Sequence, residues 1–189
     1  EARLREDTQI GILINNAGIA QSGSFTEQTP DSIERLIALN VTALTRLASA
    51  VTPRFVQAGE GSIVNISSIV GLAPEFSMSV YGATKAFVLF LSQGMNVELS
   101  SQGIYVQAVL PAGTYTEIWD RAGIDITNAS KFMEVGELVD AALVGFDRRE
   151  LVTIPPLHHA ARWDTLDASR QALLSDIKQD EAAERYKTL

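Results

Sequence analysis

Four short apolar runs with almost no polar alternation limit most strongly what this chain can fold into. They are Ile10-Gly11-Ile12-Leu13-Ile14, Ile63-Val64-Asn65-Ile66, Ile104-Tyr105-Val106-Gln107-Ala108-Val109-Leu110 and Leu151-Val152-Thr153-Ile154. A strand with one wet face alternates apolar and polar residues, whereas continuous apolarity suits a parallel sheet covered on both faces. Parallel neighbours need a crossover, usually a helix. Helical patterns fill the gaps. One starts at Thr29-Pro30-Asp31 and places Ile33, Leu36, Ile37, Val41, Leu44, Leu47, Ala48 and Val51 on one stripe. Pro53 interrupts it, yet helical residues continue to Ala58-Gly59. A second, residues 79–99, is apolar almost all round, which predicts burial on more than one side. A third covers residues 138–146, and residues 163–177 read as a surface helix. The alternation predicts an α/β fold, a doubly wound parallel sheet of Rossmann-like type.

Composition narrows the partners. At 189 residues the chain reads as a single domain, 1–189, with no internal repeat and no linker. The net charge of -8, with no basic cluster, argues against nucleic acid or an anionic membrane surface. Zero cysteines exclude disulfides and thiolate chemistry. No apolar run approaches the roughly 20 residues of a membrane span. The start, Glu1-Ala2-Arg3-Leu4-Arg5-Glu6, is charged and is not a signal peptide, so a cytoplasmic location is expected. It also lacks a starting methionine, which suggests a piece of a longer chain. His158-His159 are adjacent and cannot face one point from a regular element, so no metal site is expected.

The chemistry concentrates between Ser67-Ser68 and the pentapeptide Tyr81-Gly82-Ala83-Thr84-Lys85. Residues four apart share a helix face, so the Lys85 ammonium lies one turn from the Tyr81 phenol. A free phenol titrates near 10, too high to exchange protons readily at neutral pH. A nearby positive charge favours phenolate, so Lys85 is expected to lower the Tyr81 pKa toward use as a general acid/base. Ser68 ends the second apolar run, where its hydroxyl can reach a carbonyl oxygen that the tyrosine also reaches. Taken alone, the pentapeptide also reads as ordinary helix surface, and Asn15-Asn16-Ala17-Gly18 as a plain turn after a strand. Asn40 lies within the apolar stripe of the first long helix; buried without partners it would cost roughly 1–3 kcal/mol. A structural Asn bonding a bent backbone is one reading of it.

In order, Asn15-Asn16-Ala17-Gly18, Leu39-Asn40-Val41, Asn65-Ile66-Ser67-Ser68, Tyr81 to Lys85 and Pro111-Ala112-Gly113-Thr114-Tyr115-Thr116 form a joint pattern. That pattern resembles the short-chain dehydrogenase/reductase family from about Ile10 to the final helix. The resemblance implies an NAD(P)-dependent oxidoreductase that interconverts an alcohol and a carbonyl, using NAD or NADP and a small-molecule substrate. It implies that Tyr81 exchanges a proton with the substrate oxygen, Ser68 orients that oxygen, Lys85 lowers the Tyr81 pKa and bonds the nicotinamide ribose, and Asn40 holds a relay water. Asn16, Ala17 and Gly18 would line the cofactor together with Tyr81 and Lys85, and Pro111, Thr114 and Thr116 would lie near its nicotinamide end. It further implies a homo-dimer or homo-tetramer built on helix 79–99. The family corner reads P-G-x-x-x-T; here Ala112 stands in place of the glycine and Gly113 follows it.

The loop 69–78, with Leu72 and Phe76, is expected to wall a substrate pocket, and the partly apolar segment 115–132, with Trp119, to form a mobile lid. The phosphate-binding T-G-x-x-x-G-x-G turn of the family is absent. By this resemblance the chain holds strands 4 to 7, the C-terminal part of the fold, with residues 10–14 at a new, apolar sheet edge. A second reading is a non-catalytic half-fold module that keeps the motif by descent and binds no cofactor.

Overall fold

The computed structural model describes residues 1–21, 23–127 and 130–187. Ser22, Asn128, Ala129, Thr188 and Leu189 lie outside them, and with them two residues of the expected lid. The chain divides into two compact units, residues 1–156 and 157–189.

The first unit opens with α1 (Ala2–Glu6) and β1 (Ile12–Asn15). Helix α2 (Pro30–Ile37) starts where Thr29 caps it, its hydroxyl accepting from the Ser32 amide at 3.3 Å with Pro30 in the first turn. A π-helical segment, Ala38–Ala43, joins it without a break to α3 (Leu44–Ala58), which runs straight past Pro53. Then come β2 (Gly61–Ile66), α4 (Ser79–Leu99), β3 (Ile104–Val109), α5 (Ile118–Arg121), α6 (Val135–Asp147) and β4 (Val152–Thr153). The second unit holds α7 (Ala161–Asp176), a helix with no buried side chain.

The four strands are parallel in the order β1-β2-β3-β4. Leu13, Ile63 and Val106 are register partners across three strands and form one row of the core. Val51 and Phe55 of α3 pack on that row, with Met95 and Leu99 of α4 beside them. The alternate residues of β3 meet α6: the Tyr105 ring lies 5.3 Å from Phe146, and Gln107 Nε2 donates to the Ala142 carbonyl at 3.1 Å. Helices therefore cover both sheet faces, as the unbroken apolar runs of β2 and β3 required.

Strand β1 departs from that expectation. Leu13 and Asn15 are buried, but Ile12 is 50% and Ile14 61% exposed, so one face of this edge strand is open among the described residues. Helix α4 likewise buries one side, through Tyr81, Thr84, Lys85, Val88, Leu89 and Ser92, while Phe90 and Val97 point outward.

The composite helix Pro30–Ala58 is 29 residues long and apolar enough by composition to cross a membrane. Its stripe of Leu36, Leu44, Ala48, Val51 and Phe55 is buried, and Arg54 reaches back to the carbonyls of Leu4 and Ile10 at 3.2 and 2.6 Å. Those contacts make it a core helix of this unit.

Candidate active site

All strands run the same way, so the loops that follow β1, β2 and β3 emerge at one sheet edge, where ligands of such folds bind. They enclose an open cleft of about 1540 Å³ that α2, α4, α5 and α6 also border. Asn16, Ala17, Gly18, Ser68, Tyr81, Lys85, Pro111, Thr114 and Thr116 all line it. Asn40 does not; it lies buried behind that lining.

Ser68 and Tyr81 are brought together by the packing of a turn on a helix. The 3-10 turn Ile69–Gly71 lies directly on α4, and a Cβ on Gly71 would fall 2.7 Å from the Ala86 nitrogen and 2.8 Å from the Lys85 carbonyl carbon. Only glycine permits that approach. Ser67 fastens the same contact, its hydroxyl donating to the Lys85 carbonyl at 2.7 Å. The ladder of β2 with β3 continues past the strand end through the Ser67 amide to Val109 (2.8 Å) and the Ile69 amide to Pro111 (3.0 Å). Ser68 is thus held on both sides; its hydroxyl donates to the Pro111 carbonyl at 3.3 Å, accepts from the Val70 amide at 3.3 Å and lies beside the Tyr81 phenol.

Burial pushes the Tyr81 phenol up to about 12, while the neighbouring Ser68 hydroxyl acts in the opposite direction by favouring phenolate. This corrects the expectation that Lys85 lowers it. The two residues do share a helix face, but the Lys85 Nζ sits 5.6 Å from the Tyr81 ring centroid and donates to the Ile66 carbonyl at 3.0 Å. Burial also brings Lys85 itself down to about 8. One of its three N–H donors has that carbonyl as partner among the described residues, and Lys85 lines the cleft.

Asn40 is a fully tied residue in the π-helical segment. Its Oδ1 accepts from the Ile19 amide at 3.0 Å, and its Nδ2 donates to the Ile19 carbonyl at 2.9 Å and to Thr84 Oγ1 at 3.2 Å. Thr84 in turn donates to the Tyr81 carbonyl at 2.7 Å. Asn40 therefore clasps the loop after β1 to the turn of α4 that carries Tyr81. Its partners lie on other elements, not on its own bent helix. A Cβ on Gly18 would sit 3.2 Å from Asn40 Oδ1 and 3.6 Å from Lys85 Nζ, which places Gly18 against both.

At the corner after β3, Thr114 turns its hydroxyl to the Ala112 carbonyl at 3.1 Å and is buried, while Thr116 is exposed at the cleft. The expected lid is anchored at both ends. Thr114 and Met133 form a parallel bridge, Trp119 Nε1 donates to the Thr114 carbonyl at 2.7 Å, and α5 fills part of the segment. The roles of Ser67, Gly71 and Thr84 are not singled out by the sequence reading. The one available signal was the small size of the residues within and before the Tyr81–Lys85 turn.

Residues 2–126 match the model of a family described as short chain dehydrogenase. The chain belongs to the short-chain dehydrogenase family. Among solved structures, a short-chain dehydrogenase from Sphingobium yanoikuyae in complex with NADPH is 74% identical, with a TM-score of 0.96 over 98% of this chain and 73% of that one. The bulky-bulky ketone specific alcohol dehydrogenase from Comamonas testosteroni is 62% identical, with a TM-score of 0.91 over 99% of this chain and 71% of that one. Among curated short-chain dehydrogenase relatives, the very-long-chain 3-oxoacyl-CoA reductase of Rattus norvegicus is 40% identical over 58% of this chain and 36% of its own length. The chain thus spans little more than a third of that curated relative.

Proposed function

We propose that this chain carries the catalytic part of an NAD(P)-dependent oxidoreductase that interconverts a ketone and its secondary alcohol. The observation that carries the reading is the convergence of Ser68, Tyr81 and Lys85 on one cleft at the carboxyl edge of the sheet, with the Ser68 hydroxyl beside the phenol. A decayed, non-catalytic module would have no reason to keep a buried lysine at this edge.

The residues present fit a nicotinamide cofactor. A buried ammonium with one acceptor among the described residues needs further acceptors, and the hydroxyls of a ribose would supply them. Asn16, Ala17 and Gly18 present backbone and small side chains for close approach on one side; Pro111, Thr114 and Thr116 border the other. When bound, the cofactor gives or takes the hydride.

The chain's own groups handle the proton. Ser68 holds the substrate oxygen beside the Tyr81 hydroxyl, and the Tyr81 hydroxyl gives its proton to that oxygen during reduction and takes it back during oxidation. Lys85, charged below about pH 8, would hold the ribose of the cofactor beside this phenol. Asn40 positions this turn of α4 through Thr84. The apolar lining contributed by Phe76, Met78, Trp119 and Phe132 supports a substrate with apolar bulk. The neighbour described as specific for bulky-bulky ketones points the same way. The outward Phe87, Phe90 and Val97 of α4 support assembly as a homo-oligomer.

The test is reduction of a panel of aryl and cyclic ketones with NADH or NADPH, monitored at the reduced nicotinamide absorbance in the full-length protein. Turnover that disappears in Tyr81→Phe is expected. Absence of turnover with every ketone, together with no cofactor binding, would favour the non-catalytic module.

A further inference from the structure

We infer that Phe132, seated on Gly113, sets how large an apolar arm the cleft accepts, and that this arm is aryl or cyclic aliphatic. The inference rests on the oxidoreductase reading of the same cleft.

The ring of Phe132 lies against the backbone of the corner after β3. A Cβ on Gly113 would fall 2.8 Å from its Cε2, 2.9 Å from its Cδ2 and 3.0 Å from its Cζ. No real Cβ tolerates such distances, so any side chain at 113 must expel the ring. This gives the shifted glycine of the corner its own steric reason: Gly113, not the position of Ala112, is where the ring comes down. The ring is held from several directions. Trp119 meets it edge-on at 5.4 Å, and Tyr115 lies 5.4 Å away at a tilt. The backbone beside it is fixed as well, with the Met133 amide donating to the Gly113 carbonyl at 2.9 Å and the Tyr115 amide to the Met133 carbonyl at 3.0 Å.

Phe132, Trp119 and Gly113 all line the cleft. The Trp119 indole N–H is already given to the Thr114 carbonyl, so the two rings present an apolar surface with no donor to offer from the indole. Edge and face packing between rings favours an aryl or cyclic partner over a flexible or polar chain. A ring fixed against backbone cannot retreat from a larger arm without breaking that packing, so it acts as a size stop and not as a cushion.

The experiment uses the full-length protein and compares kcat/KM for acetophenone and 2-acetylnaphthalene in wild type, Phe132→Ala, Phe132→Leu and Phe132→Trp. The ratio favouring the naphthyl ketone is expected to rise about tenfold or more in Phe132→Ala, less in Phe132→Leu, and to fall in Phe132→Trp, a range set by a few methylenes' worth of pocket. Gly113→Ala should shift the ratio in the wild-type background but not in Phe132→Ala, because its effect acts through the ring. The fluorescence difference between wild type and Trp119→Phe reports on Trp119 whatever other tryptophans the full-length protein holds, and it should change saturably on titration with cyclohexyl methyl ketone. A ratio unmoved in folded Phe132→Ala and Phe132→Leu, or ketone turnover without any Trp119 response, overturns the inference while leaving the oxidoreductase reading intact. A wild-type protein that binds cofactor and ketone but turns over neither substrate overturns both.

Discussion

The Lys85 ammonium lies 5.6 Å from the centroid of the Tyr81 ring and gives a 3.0 Å hydrogen bond to the Ile66 carbonyl, not to the phenol. The lysine therefore shares a buried corner with the tyrosine without bonding its hydroxyl. Two ionisable groups in one buried corner shift in opposite directions, the phenol up to about 12 and the ammonium down to about 8, because burial penalises whichever form is charged.

Tyr81→Phe removes the proton that the site exchanges and little else, since the ring keeps its place on α4. Turnover is expected to fall by about 10²–10⁴-fold. Cofactor affinity, read by nicotinamide fluorescence titration, should stay within a fewfold of wild type. Near-normal turnover would remove Tyr81 from its assigned role.

Lys85→Met tests the burial of the charge. The folded pKa of Lys85 is about 8 against 10.5 for the free group. The folded state therefore binds fewer protons than the unfolded one between those values, and this group's contribution to stability rises with pH across that window. Below about pH 8 the buried ammonium costs on the order of 3 kcal/mol. In the absence of cofactor, Lys85→Met should be at least as stable as wild type at pH 7. The difference should shrink as pH rises from 8 to 10.5. Urea denaturation at several pH values measures it, and a variant less stable at pH 7 by several kcal/mol would contradict the burial argument.

Asn40→Ala leaves the amide and carbonyl of Ile19 without their partner and unties Thr84. A loss of about 1–3 kcal/mol is expected from two part-buried groups left unpaired. Asn40→Asp should not rescue it, because a carboxylate cannot donate to the Ile19 carbonyl. Chemical denaturation of the three proteins decides the matter; full rescue by Asp would show that the donated bond is unimportant.

Gly71→Ala pushes the 69–71 turn off α4 and moves Ser68 relative to Tyr81. Misplacement of about 1 Å at a reacting group costs about 10²-fold in rate. The loss should appear in kcat for ketone reduction, with cofactor affinity little changed. Steady-state kinetics with separately measured cofactor Kd would show a pure KM effect if the turn mattered only for binding.

The outline of the fold was legible wherever burial wrote itself into composition. The unbroken runs of β2 and β3 are covered on both faces, and residues 79–99 form a helix with the bounds expected. Strand β1 carries the same kind of run, yet Ile12 and Ile14 stand open, because apolarity records what a residue tolerates and not which neighbour covers it. The helix through Pro53 was visible in its stripe, but its π-helical segment at Asn40 was not, and the partners of the Asn40 side chain there, Ile19 and Thr84, lie far away in the chain.

By itself the sequence determined the alternation of strands and helices, the pairing of Tyr81 with Lys85 on one helical face, and the kinds of residue that gather at the strand ends. Those follow from local periodicity and from spacing along one chain segment. The tertiary structure alone decided that Ser68 meets the phenol, that Asn40 clasps two elements 21 and 44 residues distant from it, and that Phe132 rests on Gly113. It also decided the protonation of the site, because desolvation depends on every group that excludes water from it. No stretch of sequence contains that information.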